Sequence, residues 1–369
     1  MEMQETAAQK IPDGAISGPE ARSRYNAAEA QFEMLLDADR LDENLDTLRL
    51  VILDFEQTLD DALIAAYHGS SDSETAHRFL QRVLYRINRL KLFWYDDLKR
   101  YKNERSAYLR GIRDRIEEAW QSWEMKCLDC PEIKHANVGE ILIEEAQKDL
   151  EPELSESGVF FRDHAGEAGY RQLLAITSLD GLVEASQMSR MLGGVANEIH
   201  STLTKLFLEE YGGGRLTRKH STYFKVMLLE FDMSTEPEAY FDVVPWEVLA
   251  GVNHSFLLTE CKRYFLRYIG GLLYTEISVP TAFRPYSAAA KRLDFSQKAT
   301  GYWDLHIKED ERHGRWMLED VALPLAKRYP NDAWGLVLGY KQQRLISRRA
   351  GEAIAHAARA ADSKSGLIN

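Results

Sequence analysis

The chain has 369 residues, 45% hydrophobic and 28% charged, with a formal net charge of -12 at pH 7. That length and apolar fraction suffice for a substantial buried core in one large domain or two ordinary ones. The acidic balance argues against a nucleic-acid-binding surface, which shows as a basic patch or stripe.

No basic stretch leads into an apolar leader, and no window approaches the roughly 18 to 20 apolar residues of a membrane span, so a cytoplasmic location is expected. Apolar residues recur at helical spacing, alternating strand-like runs are few, and Pro is scarce at 10 residues. The expected fold class is all-α.

In chain order, residues 1–22 are polar with Ala and Gly and read as a disordered N-terminus. Two long helical patterns follow, Asp42 to His68 and Ser73 to Met125, both mixing apolar stripes with opposite charges at i, i+4 spacing. The second is longer than a compact domain needs. It reads either as a long-helix arm that packs on another subunit or as two ordinary helices with a turn between them. Residues 23–135 are expected to form this helical arm. At its end Cys127 and Cys130 form a lone C-x-x-C, with His135 the nearest further ligand. Reduced structural thiols are the first reading and a redox or metal pair the second. The segment CPEIKHANVG is a linker by its Pro, Asn and Gly.

A second helical set begins near Gly139 and is assigned residues 136–347. Its punctuation is SLDG at 178–181, YGGG at 211–214, DMSTEPE at 232–238 and SVPTAFRPYS at 278–287, with helices of bundle length between. An Ala-rich helix and tail take residues 348–369.

The chemistry concentrates in HIKEDERHG, residues 306–314. At about 100° per residue, His306, Asp310 and His313 fall on one helical stripe, which continues through Met317 and Val321. Lys308, Glu309, Glu311 and Arg312 point elsewhere. Two histidines and an aspartate on a buried face need partners or a metal. Earlier segments offer matching donors: Glu210 ends TLTKLFLEE, and His220 follows the glycine break. Glu276 ends YIGGLLYTE, where Gly270 and Gly271 let another backbone approach. Glu184, in SLDGLVEASQMSR, is inward if Leu182 and Val183 flank the core face. Singly, each reads as a surface carboxylate or a satisfied core histidine. Together, four carboxylates and three imidazoles from at least four helices are the donor set of a carboxylate-bridged di-iron centre, although the paired E-x-x-H motifs of ferritin-like sites are missing. Tyr302 and Trp303, beside His306, read as core aromatics first and pocket residues second.

The order and spacing of Glu210, His220, Glu276 and the His306, Asp310, His313 stripe, with the lead-in GYWDLH, resemble the heme-oxygenase-like di-iron oxidases, also called iron-containing redox enzymes. The resemblance covers roughly residues 160 to 330. It implies a heme-oxygenase-like helical bundle and two iron ions held by Glu184, Glu210, His220, Glu276, His306, Asp310 and His313. It also implies dioxygen as co-substrate and a peroxo-diferric oxidant. The ten-residue step from Glu210 to His220 is similar to the N-oxygenase branch, where a further carboxylate occupies the place of Glu184 and an N-terminal helical region mediates dimerisation. The implied activity is N-oxygenation of an amine or guanidine-type small molecule in a biosynthetic pathway by a homodimer. That branch includes a member with a terminal cupin domain, a pattern not found in this sequence, so chemistry is expected to end at the di-iron site. With no G-x-G-x-x-G after a strand and no cysteine cluster, electrons are expected from an external reductase. Alternatives stay open: oxidative C–C cleavage, decarboxylation or desaturation of an amino or fatty acid at the same irons; a non-enzymatic helical interaction protein; and heme binding, which needs a proximal histidine on the first core helix.

Overall fold

The computed structural model describes residues 19–68, 73–93, 98–128, 137–195 and 197–366. Every regular element in them is helical, so the all-α expectation is met. The chain divides into two compact units, residues 1–121 and 122–369.

The first unit is built from α1 (Pro19–Asp37), α2 (Arg49–Tyr67), α3 (Ser73–Arg89) and the start of α4 (Ala107–Lys126). Phe32, Phe55, Leu59, Phe79 and Val83 are buried between them, and the Phe32 and Phe55 rings stack at 5.2 Å. The pattern from Ser73 to Met125 is two helices, as the second of the two readings had it. The interruption is made by hydrogen bonds from residues far away in sequence. The Asp42 carboxylate accepts from the backbone N–H of Ala107 at 2.6 Å and of Tyr108 at 3.2 Å, and from the Ser106 hydroxyl at 2.6 Å. Ser106 Oγ accepts from the Leu109 N–H at 3.2 Å. These are the donors a helix start leaves unpaired, so capping fixes the start of α4 at Ala107. In the connection, Asn103 Nδ2 donates to the Leu36 and Ala38 carbonyls at 2.8 and 2.7 Å. α1 begins at Pro19, inside the opening stretch read as disordered. Residues 1–18 and 129–136, the latter with linker residues 130–136 and thus Cys130 and His135, lie outside the described residues. Cys127 is an exposed free thiol.

The second unit contains α5 (Val138–Leu150), α6 (Glu156–Asp163), α7 (Glu167–Gly181), α8 (Glu198–Glu210), α9 (His220–Glu230) and α10 (Trp246–Glu260). α11 (Phe265–Arg292) and α12 (Gly301–Trp316) follow, then a π-helical turn (Met317–Ala322), α13 (Leu323–Arg328) and α14 (Trp334–Gly366). Leu203, Leu206, Ile269, Leu273, Ile277, Met317, Val321 and Leu336 form the core beside the site. α11 is continuous for 28 residues through Pro280 and Pro285, so SVPTAFRPYS is no break between helices. A mid-helix proline costs about 3 kcal/mol in isolation. Here Ile277, Pro280, Pro285, Ala289 and Ala290 are all buried, and tertiary packing outweighs the local penalty. α14 likewise runs unbroken past residue 348. No helix among the described residues is long and apolar enough to cross a membrane.

α11 and α14 lie backbone to backbone. A Cβ on Gly270 would sit 1.9 Å from the Leu336 carbonyl oxygen, and one on Gly339 would sit 1.9 Å from that of Arg267. A Cβ on Gly271 would meet nothing nearer than 3.6 Å. Gly270→Ala is therefore expected to destabilise the unit by at least about 2 kcal/mol through overpacking, while Gly271→Ala gains up to about 1 kcal/mol of helix propensity. Chemical denaturation of the two variants checks this, and equal behaviour would contradict the packing.

Candidate metal centre

α12 carries His306, Asp310 and His313 on one inward stripe, all buried. Gly314, next to His313, admits the neighbouring helix: a Cβ there would lie 3.2 Å from the Glu276 carbonyl oxygen on α11. That approach helps seat the Glu276 side chain opposite the stripe. Glu210 is the last residue of α8 and His220 the first of α9, both buried. The intervening Gly212, Gly213 and Gly214 all have positive φ, and a Cβ on Gly212 would lie 2.4 Å from the Arg218 carbonyl carbon. Only glycine fits such a reversal without strain, and it brings Glu210 Oε2 within 2.8 Å of His220 Nδ1.

Glu184 enters differently from the sequence reading. α7 ends at Gly181, and Glu184 stands in the following turn beside Ala185, whose φ is +61°. Being off the helix lets its carboxylate reach α12, with Oε1 3.0 Å from His306 Nε2.

The seven residues fall into two groups of facing donors. The donor atoms of Glu184, Glu210, His220 and His306 lie within 4.8 Å of one another, and so do those of Glu210, Asp310 and His313. Glu276 joins the second group, with Oε2 3.3 Å from His313 Nδ1. Glu210 belongs to both: Oε2 faces His220 at 2.8 Å while Oε1 faces His313 Nδ1 at 3.7 Å.

The imidazoles are oriented from behind. His306 Nδ1 donates to the Tyr302 carbonyl at 2.8 Å, which turns Nε2 toward Glu184 and His220. His313 Nε2 bonds Glu209 Oε2 at 2.8 Å, which turns Nδ1 inward. Arg312 holds Glu209 and Glu309 together, each at 2.5 Å. A carboxylate behind a histidine is how metal-binding imidazoles are usually fixed in orientation. The sequence reading passed over Glu209. Its only signal is its place in the Glu-Glu pair that ends α8, and a pair at a helix end does not say which member turns inward.

Burial raises the pKa of Glu210, Glu276 and Asp310 above the ordinary carboxylate range. Burial also opposes charge on the histidines, but Glu184 outweighs it at His306, pushed up to about 10. The facing Asp310 and Glu276 do the same at His313, pushed up to about 11. Glu184 is lowered: burial would raise it, but His306 beside it prevails. Asp310 Oδ1, His313 Nδ1 and Glu184 Oε2 are buried without a hydrogen-bond partner. Crowded acids of this kind, with inward atoms left unpaired, fit two hard or borderline cations of the iron type.

A cavity of about 430 Å³ opens beside these groups. Phe283, Tyr286, Tyr302 and Trp303 help to wall it. Tyr302 donates to Glu184 Oε1 at 2.6 Å, and the Trp303 indole donates to the Tyr170 hydroxyl at 2.9 Å. The two residues expected as core aromatics are thus buried and line the cavity as well. Asp180, unremarked in the sequence, also lines it. It is accessible yet surrounded by protein, as a side chain on a cavity wall is, and burial followed by repulsion from Glu184 pushes its carboxyl up to about 6. α5, α6 and α7 carry no histidine for a heme iron.

An all-α unit whose buried acids and imidazoles form two donor groups around a shared glutamate has the ligand chemistry of a metal-binding protein. Residues 171–343 match the family of iron-containing redox enzymes, the family the sequence pattern resembles. The chain is also similar to nitrosourea synthase of Streptomyces achromogenes subsp. streptozoticus, with 29% identity over 163 residues. The match covers 44% of this chain and 35% of that relative, so the chain spans about a third of its length.

Glu209→Gln should keep the fold but weaken metal binding by about 10- to 100-fold, the usual effect of removing the carboxylate behind a histidine ligand. Competition with a chromophoric chelator measures this. Unchanged affinity would show that Glu209 does not orient His313.

Proposed function

We propose that the second unit is a non-heme di-iron oxygenase that adds oxygen to a nitrogen atom of an amine- or guanidine-type small molecule in a biosynthetic pathway. The observation that carries the reading is the shared carboxylate: Glu210 offers one oxygen to each donor group. Glu184, His220 and His306 would complete one iron, and Glu276, Asp310 and His313 the other. Iron held at these positions would supply dioxygen activation.

The chain's own residues arrange the rest. Tyr302 keeps its proton, because burial and then the adjacent Glu184 raise its pKa well above the usual phenol value. It can therefore hold Glu184 Oε1 in place throughout. Phe283, Tyr286 and Trp303 give the cavity beside the donor groups an aromatic wall. A low-polarity surround of this kind protects a reactive oxidant from hydrolysis and proton leakage. Transfer to nitrogen, rather than to carbon, is supported by the likeness to nitrosourea synthase. The proposal includes an external electron donor and a homodimer formed through residues 23–135.

Anaerobic ferrous titration tests the centre. The expected stoichiometry is two irons per chain, and one in Asp310→Ala and His313→Ala, with helical content by circular dichroism unchanged. Both variants should lose turnover, followed as ¹⁸O incorporated from ¹⁸O₂ into a hydroxylated amine by mass spectrometry. Two irons retained in both variants, or none in the wild type, would sink the assignment.

A further inference from the structure

Asp180 stands at the end of α7 on the cavity wall and belongs to neither donor group. Its carboxylate makes no hydrogen bond or ion pair among the described residues. The cavity's charge balance makes that isolation informative. Two divalent cations would neutralise Glu184, Glu210, Glu276 and Asp310, and Asp180 is then the charge left over among the lining side chains. No Lys or Arg is among the described residues of the lining. A carboxylate that faces a cavity with no protein partner, as Asp180 does, can give a charge-assisted contact to a cation that enters. The rings of Phe283, Tyr286, Tyr302 and Trp303 add faces that attract a cation. A ligand carboxylate would meet the like charge of Asp180 and no Lys or Arg of the lining to receive it.

We propose that the cavity takes a cationic nitrogen compound that lacks a carboxylate, with Asp180 as the residue that binds its cation. Guanidinium, amidinium and ammonium groups meet this description; fatty acids and free amino acids do not. The cavity volume, about 430 Å³, suits a small molecule of this class. The inference rests on the di-iron reading, because the charge balance assumes two bound dications.

The test is anaerobic calorimetry on the iron-loaded protein, with iron counted in every sample. The probes are butylguanidine, its neutral isostere butylurea, and 4-guanidinobutanoate, which adds the carboxylate. Butylguanidine is expected to bind at least about tenfold more tightly than either of the others, the effect of one charge-assisted contact. Asp180→Asn should abolish the preference over butylurea while keeping two irons. Equal binding of butylguanidine and butylurea by the wild type overturns the proposal, as does equal or tighter binding of 4-guanidinobutanoate; neither comparison needs a variant. A preference retained in Asp180→Asn, or iron lost from it, overturns the role given to Asp180. Two irons without cation preference leave the metal centre standing, whereas no iron in the wild type fails the di-iron reading and this inference with it.

Discussion

The second unit is organised around a concentration of buried charge. Glu210, Glu276, Asp310, His220, His306 and His313 are all buried, and Glu184 is half-buried beside them. Carboxylates do not gather out of water for their own stability, because their mutual repulsion and desolvation cost more than their hydrogen bonds to neighbouring histidines return. The raised pKa of Glu210, Glu276 and Asp310 is the sign of that cost. A site that must be met by cations has to be held open by the rest of the structure, and the packing around it can be understood as the means of holding it.

That packing is achieved with small residues and prolines in unusual places. Gly270 and Gly339 let α11 and α14 touch backbone to backbone, and Gly314 lets α12 close on α11. The Pro-containing α11 stays helical because buried residues recur along it from Tyr268 to Ala290, both prolines among them. The outcome is a rigid frame in which Glu276 and the α12 stripe face each other from helices, while Glu210 and His220 are joined by a three-glycine reversal. Donors on helices are placed precisely because their backbones have no freedom of their own. Glu184, on a turn with a left-handed neighbour, is the exception among the seven.

Most of this was legible where local periodicity and local chemistry agree. His306, Asp310 and His313 announce themselves by spacing, and the glycine run between Glu210 and His220 marks a reversal. The structure differs where long-range contacts overrule local pattern. The start of α4 at Ala107 is only half legible in its own sequence: Ser106 caps it locally, but the other donors go to Asp42, more than 60 residues away. Pro280 and Pro285 read as a break because the sequence does not display the burial that holds them in a helix. Glu184 was found by order along the chain while its backbone was not, because nothing in SLDGLVEASQ marks Ala185 as left-handed. Glu209 and Asp180 escaped for a simpler reason: an acid at a helix end looks the same whether it faces water, an imidazole or a cavity.

Asp180 and Glu184 show how much depends on where one helix stops. Separated by four residues, they would stand side by side on a continuing helix, two carboxylates in contact. α7 stops at Gly181 instead, where a Cβ would lie 2.6 Å from the Phe224 ring, and the turn carries Glu184 away to His306 and Tyr302. Asp180 remains on the helix end and lines the cavity, still close enough to feel the charge of Glu184. The same short stretch thus contributes one acid to the donor groups and another to the space a ligand would occupy. Their repulsion ties the two positions: whatever neutralises Glu184 also lessens the repulsion that Asp180 feels, so the charge state of the donor groups is registered at the end of a single helix.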